Sequence, residues 1–230
     1  MQNVASSMYS KNGENGIIYM FSNKQVLEDS VFTRNANRGE YVYTLGSNFD
    51  RIYLIESGSV VVGTIGADGK EVISHILGSG QIFGEYCLEE PSEANEFAKA
   101  IENTSLRIIK AKRLKELMQN DSELMFKVIA LIQEKMNALH KRLINQISMH
   151  AQNRVIYFIL ELGKTFGRKA GLETLVMNYF THQEIAGITG SSRQTVTTVL
   201  NDLRQKNLIY FDRRRLLIRD LDKLEALCQA

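Results

Sequence analysis

The chain has 230 residues, 44% of them hydrophobic and 23% charged, with a formal net charge of +2. That length suits one large domain or two smaller ones. The two cysteines, Cys87 and Cys228, exclude a disulfide framework and a Cys-rich metal or iron–sulfur site. No run approaches the ~18 apolar residues of a membrane span. The polar start MQNVASSMYSKNGENG has neither a basic n-region nor an apolar core, so a cytoplasmic location without a membrane partner is expected. Charge is unevenly spread. Residues 149–230 carry 12 Lys and Arg against 8 Asp and Glu, a balance of +4, which leaves −2 for residues 1–148. The C-terminal end is therefore the better surface for a polyanion.

From about residue 29 to 110 the chain reads as short strands separated by glycines. RIYLIESGSVVVGTIG holds two apolar runs broken at Gly58. EVISHILG follows GADGK, where Asp68-Gly69 signals a tight turn. QIFGE, FAKAIE and SLRIIKA continue the pattern, which suits a sandwich or barrel. A short helix is expected over 111–121.

The segment SELMFKVIALIQEKMNALHKRLINQISMH lacks Gly and Pro and carries apolar residues at helical spacing, with Ser122 as a candidate N-cap. Met125, Ile129, Ile132, Met136, Leu139 and Leu143 alternate in steps of four and three, a coiled-coil seam of nearly three heptads. Leu124, Val128 and Leu131 form a second apolar line that would pack on the barrel. The pattern fits a dimer interface or a wide core face. A further helix spans roughly 150–166 and closes at Gly167, and residues 168–173 read as a polar link.

The most informative stretch is THQEIAGITGSSRQTVTTVLNDLRQKNLI, residues 181–209. Thr181 with Glu184 makes a capping box for a short helix. Gly190 supplies the left-handed residue of a tight interhelical turn, and Ser191 or Ser192 caps a second helix. Val196, Val199, Leu200 and Leu203 form its buried stripe. The opposite face carries Arg193, Gln194, Thr197, Thr198 and Asn201, with no acid among them. Such a face suits a helix in the major groove of double-stranded DNA, where Arg bridges guanine O6 and N7 and Gln pairs with adenine. A solvated amphipathic helix has the same outline, and Gln194 could instead complete a cap begun by Ser191. NLIYFDRRRLLI reads as a β-hairpin whose tip, including Arg214, reaches phosphates as a wing or is simply a solvated turn.

In order, the glycine-spaced barrel, ESGSV, QIFGE, the long zipper helix and EIAGITGSSRQTV resemble the Crp/Fnr family of bacterial transcription regulators over about residues 25–225. The resemblance implies an α+β architecture: an N-terminal jelly-roll β-barrel that senses an effector (with the N-terminal arm, 1–121), a long dimerisation helix (122–148) and a C-terminal winged helix-turn-helix (149–230). It implies a homodimer on a two-fold symmetric DNA site, with RNA polymerase as a further partner. Ser192, Arg193, Gln194, Thr197, Thr198 and Arg214 are the implied DNA contacts. Arg193 takes the place of the family's usual guanine reader. Gln194 stands where Glu is frequent, Thr197 where Ser is frequent and Thr198 where Arg is common, so the preferred bases are expected to differ.

The effector region departs further. The family's cyclic-nucleotide binders place a Glu on the ribose and an Arg-Ser pair on the cyclic phosphate. Here Gly84 and Glu85 are kept, but Ala94 and Asn95 occupy the Arg-Ser positions, and Glu89, Glu90, Glu93 and Glu96 crowd the segment. A phosphate without its arginine, among acids, is poorly bound, so an effector other than cyclic AMP is expected. Glu85, Tyr86, Ala94, Asn95, Leu139 and His140 are the candidate effector residues. Cys87 is a candidate redox group. A haem could use His75, His140 or His150 with one of the methionines, but a lone histidine is usually just a hydrogen-bonded residue, and the sequence names no cofactor. A nucleotide-binding module without DNA activity is the alternative function. An enzyme is not expected, because in GTIGADGKE five residues separate Gly63 from Gly69 and Glu71 stands where a phosphate loop needs Ser or Thr.

Overall fold

The structure, a computed structural model, describes residues 31–88, 92–177, 180–212 and 215–229. The N-terminal arm, Glu89, Glu90 and Arg214 lie outside the described residues. The chain forms two compact units, one ending at Leu139 and the other running from His140, with the hairpin segment Gly66–Val72 grouped with the second.

In the first unit, β1 (Val31–Ala36), β10 (Thr104–Lys110), β4 (Arg51–Ser57) and β7 (Ile82–Phe83) form one sheet in the order β1-β10-β4-β7. A second sheet runs β2-β9-β5-β6, from β2 (Tyr41–Tyr43), β9 (Phe97–Ala100), β5 (Val60–Ile65) and β6 (Glu71–Leu77). A pair of two-residue strands, β3 (Asn48–Phe49) and β8 (Ser92–Glu93), completes it. Both sheets turn apolar side chains into one core that includes Ile52, Leu54, Val60, Phe83, Ala98 and Leu106. This is the two-layered barrel expected from the glycine-spaced strands. Its aromatic centre is ordered by ring packing: Tyr53 stacks on Phe83 at 4.9 Å, and Tyr43 meets Phe49 edge-on at 4.9 Å.

The ESGSV corner joins β4 to β5. Gly58 has φ 89°, and a Cβ there would lie 2.6 Å from the Asn103 carbonyl oxygen and 2.7 Å from Thr104 Cα. The close approach lets Ser59 N–H donate to the buried Thr104 hydroxyl at 3.2 Å. Glycine is needed here for both conformation and room.

Helix α1 (Ala111–Asn120) leads into α2 (Ser122–Ser148). The cap of α2 is Asp121 rather than Ser122: the Asp121 carboxylate accepts from Leu124 N–H at 3.1 Å, while Ser122 is already helical. A carboxylate in extended backbone satisfies an early amide and complements the helix dipole. Leu124, Val128 and Leu131 are buried in the barrel core. Ile129, Met136, Leu139 and Leu143 lie on another face, 37–65% exposed, while Met125 and Ile132 are half-buried.

The second unit contains α3 (Ala151–Phe166), β11 (Arg168–Ala170), β12 (Glu173–Met177), α4 (His182–Thr189), α5 (Arg193–Gln205), β13 (Ile209–Phe211), β14 (Arg215–Ile218) and α6 (Leu221–Gln229). Residues 168–173 are not a link. β11 and β12 pair as an antiparallel hairpin turning at Gly171, φ 66°, and join the sheet β11-β12-β14-β13. The turn glycine outweighed the weak strand signal of the three exposed residues of β11. Among the described residues no helix is long and apolar enough to cross a membrane.

The contrast between crowded and open glycines is testable by urea denaturation. Gly58→Ala is expected to cost about 3 kcal/mol, combining left-handed strain with overpacking. Gly39→Ala, at φ 85° with open space around it, is expected to cost about 1 kcal/mol.

Candidate functional site

Helix α4 begins with the expected capping box: Thr181 accepts from Glu184 N–H, and Glu184 accepts from Thr181 N–H at 2.7 Å. It ends at Gly190, φ 57°, whose N–H donates to the Ala186 carbonyl. Three further carbonyls of this helix end, those of Ile188, Thr189 and Gly190, are taken up by arginines. Arg154 on α3 donates to the carbonyls of Thr189 at 2.7 Å, Gly190 at 2.9 Å and Met149 at 2.8 Å. Arg142 on α2 donates to the Ile188 carbonyl. A guanidinium suits this place because its fixed fork meets several carbonyls and its charge opposes the negative end of the helix dipole. Neither arginine was singled out by sequence, since the pairing joins residues 35 or more positions apart in the chain.

Ser192 caps α5, its hydroxyl accepting from Thr195 N–H at 3.0 Å. The third helical position is thus Thr195, and Gln194 takes no part in a capping box. Val196, Val199, Leu200 and Leu203 are buried as expected. Arg193, Gln194, Thr198 and Asn201 are exposed and Thr197 is half-buried. The Ser192 hydroxyl also lies 2.9 Å from the Thr195 hydroxyl. The Thr197 hydroxyl donates to the Arg193 carbonyl at 2.9 Å and lies 3.0 Å from His182 Nδ1. Among the described residues Arg193 forms no ion pair. The structure thus brings five side chains together on one acid-free helical face.

Beside this helix, β13 and β14 form the expected hairpin. Asp212 closes it, accepting from Arg215 N–H at 2.9 Å and from Arg215 Nε at 3.0 Å. The Arg204 guanidinium lies over the rings of Tyr210 and Phe211, 5.7 Å from each centroid, which fastens the hairpin to the end of α5.

In the barrel, Glu85 opens a 3-10 turn, Glu85–Leu88. Its Oε1 is ion-paired with Lys135 of α2, and the two side chains are 13% and 10% exposed. Glu85 Oε2 is buried and lacks a hydrogen-bond partner. Glu96 is buried and accepts from the Tyr43 hydroxyl at 2.7 Å. Burial raises the Glu96 carboxyl, with the nearby Glu85 adding to the shift, while the Tyr43 bond opposes it. Burial and the Glu96 charge likewise raise the Tyr43 hydroxyl. Lys135 and Tyr43 are not among the sequence candidates, and Glu96 figures there only as one of the acids that crowd the segment. Lys135 was findable, because it continues the buried line Leu124, Val128, Leu131 by one further step of four.

The other candidate effector residues do not converge on an anion cradle. Ala94 is buried in the core, its N–H donating to the Ser47 carbonyl at 3.0 Å and its carbonyl accepting from Gly46 N–H at 2.7 Å. Asn95 is exposed and its carbonyl accepts from the Thr64 hydroxyl. Tyr86 is 52% exposed, Leu139 37%, and His140 is exposed. Cys87 does not fit a redox role: it is buried, its thiol donates to the Gly84 carbonyl at 2.9 Å, and burial pushes that thiol up to about 12. A thiol held protonated and shielded is a poor nucleophile.

Residues 33–121 match the cyclic nucleotide-binding domain family, and residues 153–227 match the Crp-like helix-turn-helix domain family. The chain is 29% identical over 189 residues to a CRP-like cAMP-activated global transcriptional regulator of Mycobacterium tuberculosis, covering 81% of this chain and 84% of that protein. It is 27% identical over 212 residues to an anaerobic regulatory protein of Bacillus subtilis, covering 89% and 88%. Its fold is similar to a CRP-family transcriptional regulator from Thermus thermophilus, with TM-score 0.76 and 25% identity over 86% of this chain and 97% of that one. The barrel, the long helix and the capped helix-turn-helix occur in the order these relatives share, and the chain belongs to the Crp/Fnr family of DNA-binding transcription regulators.

Proposed function

We propose that this protein acts in the cytoplasm as a homodimer that reads a two-fold symmetric site in double-stranded DNA through α5, with RNA polymerase as its downstream partner, and that it answers to an effector other than cyclic AMP. The division of labour follows the chain: 1–121 senses, 122–148 dimerises and 149–230 binds DNA. The observation that carries the DNA reading is the acid-free face of Arg193, Gln194, Thr197 and Thr198 on a helix whose start is fixed by Ser192. Arg193 and Gln194 occupy its first turn, where side chains of a reading helix reach base edges. The wing around Arg214 is assigned to phosphates.

Dimerisation is argued from α2. Met125, Ile129, Ile132, Met136, Leu139 and Leu143 keep heptad spacing, and four of them, Ile129, Met136, Leu139 and Leu143, are solvent-exposed within one protomer. A second copy of the same seam buries them, and the two-fold axis this creates sets two reading helices about 34 Å apart, one turn of DNA.

The barrel does not fit a cyclic nucleotide. The carboxylate that would meet a ribose is held by Lys135. The amide of Ala94 is spent on Ser47, no arginine occupies that position, and buried Glu96 adds like charge. A phosphate brought here would lose its hydration without a replacement charge. The effector works by population shift: it binds one pairing of the two α2 helices better than the other and so sets the spacing of the reading helices.

Three outcomes are expected. Selection of bound duplexes from a random pool should enrich a two-fold symmetric motif, and Arg193→Ala should weaken the selected site by about 1–3 kcal/mol while relaxing one base preference per half-site. A loss equal across all sequences would make Arg193 a phosphate contact. In sedimentation, Met136→Glu with Leu143→Glu should convert dimer to monomer without lowering protomer stability, and persistence of the dimer would place the interface elsewhere. Titration calorimetry with cyclic AMP should give no saturable heat, and tight binding would overturn the effector reading.

A further inference from the structure

His182 is the first residue of α4, outside the face of α5, yet its ring reaches that face. Nδ1 lies 3.0 Å from the Thr197 hydroxyl, and the ring packs edge-on against Phe211 with centroids 5.9 Å apart. The same hydroxyl lies 2.9 Å from the Arg193 carbonyl, one turn earlier in α5. A threonine hydroxyl has one proton and two lone pairs. If the proton goes to the Arg193 carbonyl, the ring must supply Nδ1–H to the hydroxyl. If Nδ1 is bare, the proton goes to the ring. In both tautomers the proton is consumed inside the protein, leaving one lone pair when the ring donates and two when it accepts.

We propose that His182 is a specificity-determining positioning residue, which locks Thr197 as an acceptor-only group so that it selects a base presenting an amino group at its position. The proposal rests on the reading of α5 as the base-reading helix. In the major groove, amino donors are adenine N6 and cytosine N4, whereas guanine O6 and thymine O4 are acceptors. An acceptor-only hydroxyl pairs with the first two and repels the others. A hydroxyl held by the Arg193 carbonyl alone gives up that bond more easily and turns its proton toward a base acceptor, so a threonine without the histidine discriminates less well. The lock does not require a charged ring. Burial lowers the His182 pKa and the nearby Arg193 charge lowers it further, so both favour the neutral imidazole over a phosphate-binding cation.

The test is DNA selection and competition binding with the full-length protein. His182→Ala should reduce discrimination at one position per half-site by roughly tenfold, with the Arg193-dependent position unchanged. His182→Asn, whose amide nitrogen falls near the place of Nδ1, should retain that preference. In a Thr197→Val background, His182→Ala should change no base preference. The salt dependence of binding should be the same for His182→Ala and wild type, whereas loss of a phosphate contact lowers the slope by about one. Unchanged preferences in His182→Ala, or a uniform loss with a shallower salt slope, would overturn the proposal while leaving the Arg193 result, and with it the reading of α5, intact. Absence of any selected motif for wild type would instead overturn the reading of α5 and the proposal with it.

Discussion

The end of α4 poses the electrostatic problem on which the DNA-binding unit depends. An eight-residue helix ends in a turn of only three residues before the next begins, so its last carbonyls have no helical partners. Water would satisfy them in an open loop, but here Ile188 and Thr189, the last residues of α4, are buried. Arg154 takes two of these carbonyls and Arg142 a third, while Gly190 bends the chain into the left-handed region. With the exit of α4 fixed in this way, Ser192 starts α5 in a defined direction, and the buried stripe Val196, Val199, Leu200 and Leu203 sets its rotation. Direction and rotation together decide which side chains face outward. The functional face is therefore specified by residues that never reach it.

The barrel handles a related problem by different means. A carboxylate at Glu85 is costly to bury alone. Lys135 neutralises it from the one position on the buried line of α2 that is not apolar. Such a pair is poor evidence of stability, because desolvating both ions offsets their attraction. Its consequence is positional: it ties α2 to the 3-10 turn and takes up one of the two oxygens of the acid, leaving Oε2 without a hydrogen-bond partner. Glu96 remains within electrostatic reach and is held largely by Tyr43. The acids counted in the sequence are thus not equivalent, since Glu85 and Glu96 are drawn inward while Glu93 is exposed.

Much of this was legible in the sequence where the signal is local. The capping box at Thr181 and Glu184, the left-handed Gly190 and the stripe of α5 each depend on residues within a few positions of one another, and each appears as read. The choice between Ser191 and Ser192 required geometry, because both carry the same hydroxyl and only backbone direction decides. Asp121 was overlooked in favour of Ser122 for the same reason. Residues 168–173 read as a link because β11 is short, polar and exposed and gains its strand character from pairing with β12. Arg154 was illegible, since nothing about an arginine in a helix says which distant carbonyls it will serve. Lys135 lay between these cases: its spacing placed it on the buried line, but the identity of its partner came only from the fold.

The hydroxyl of Thr197 extends the same logic to recognition. A side chain on a reading helix is usually judged by what it can offer a base, yet what it offers is whatever its neighbours leave unused. Ser192 is exposed on the helix start, but its hydroxyl accepts from Thr195 N–H and lies 2.9 Å from the Thr195 hydroxyl. Thr197 retains a lone pair but not its proton. Arg193, Gln194 and Thr198 make no side-chain hydrogen bond among the described residues and bring their full complement of donors and acceptors. Sequence comparison at these positions ranks residues by type, and two chains with the same threonine would be ranked alike. The internal bonds divide them, because an acceptor-only threonine and a free one see different base edges. On the proposed reading of α5, base preference becomes a property of the hydrogen-bond inventory of the whole helix-turn-helix, including a histidine on the preceding helix.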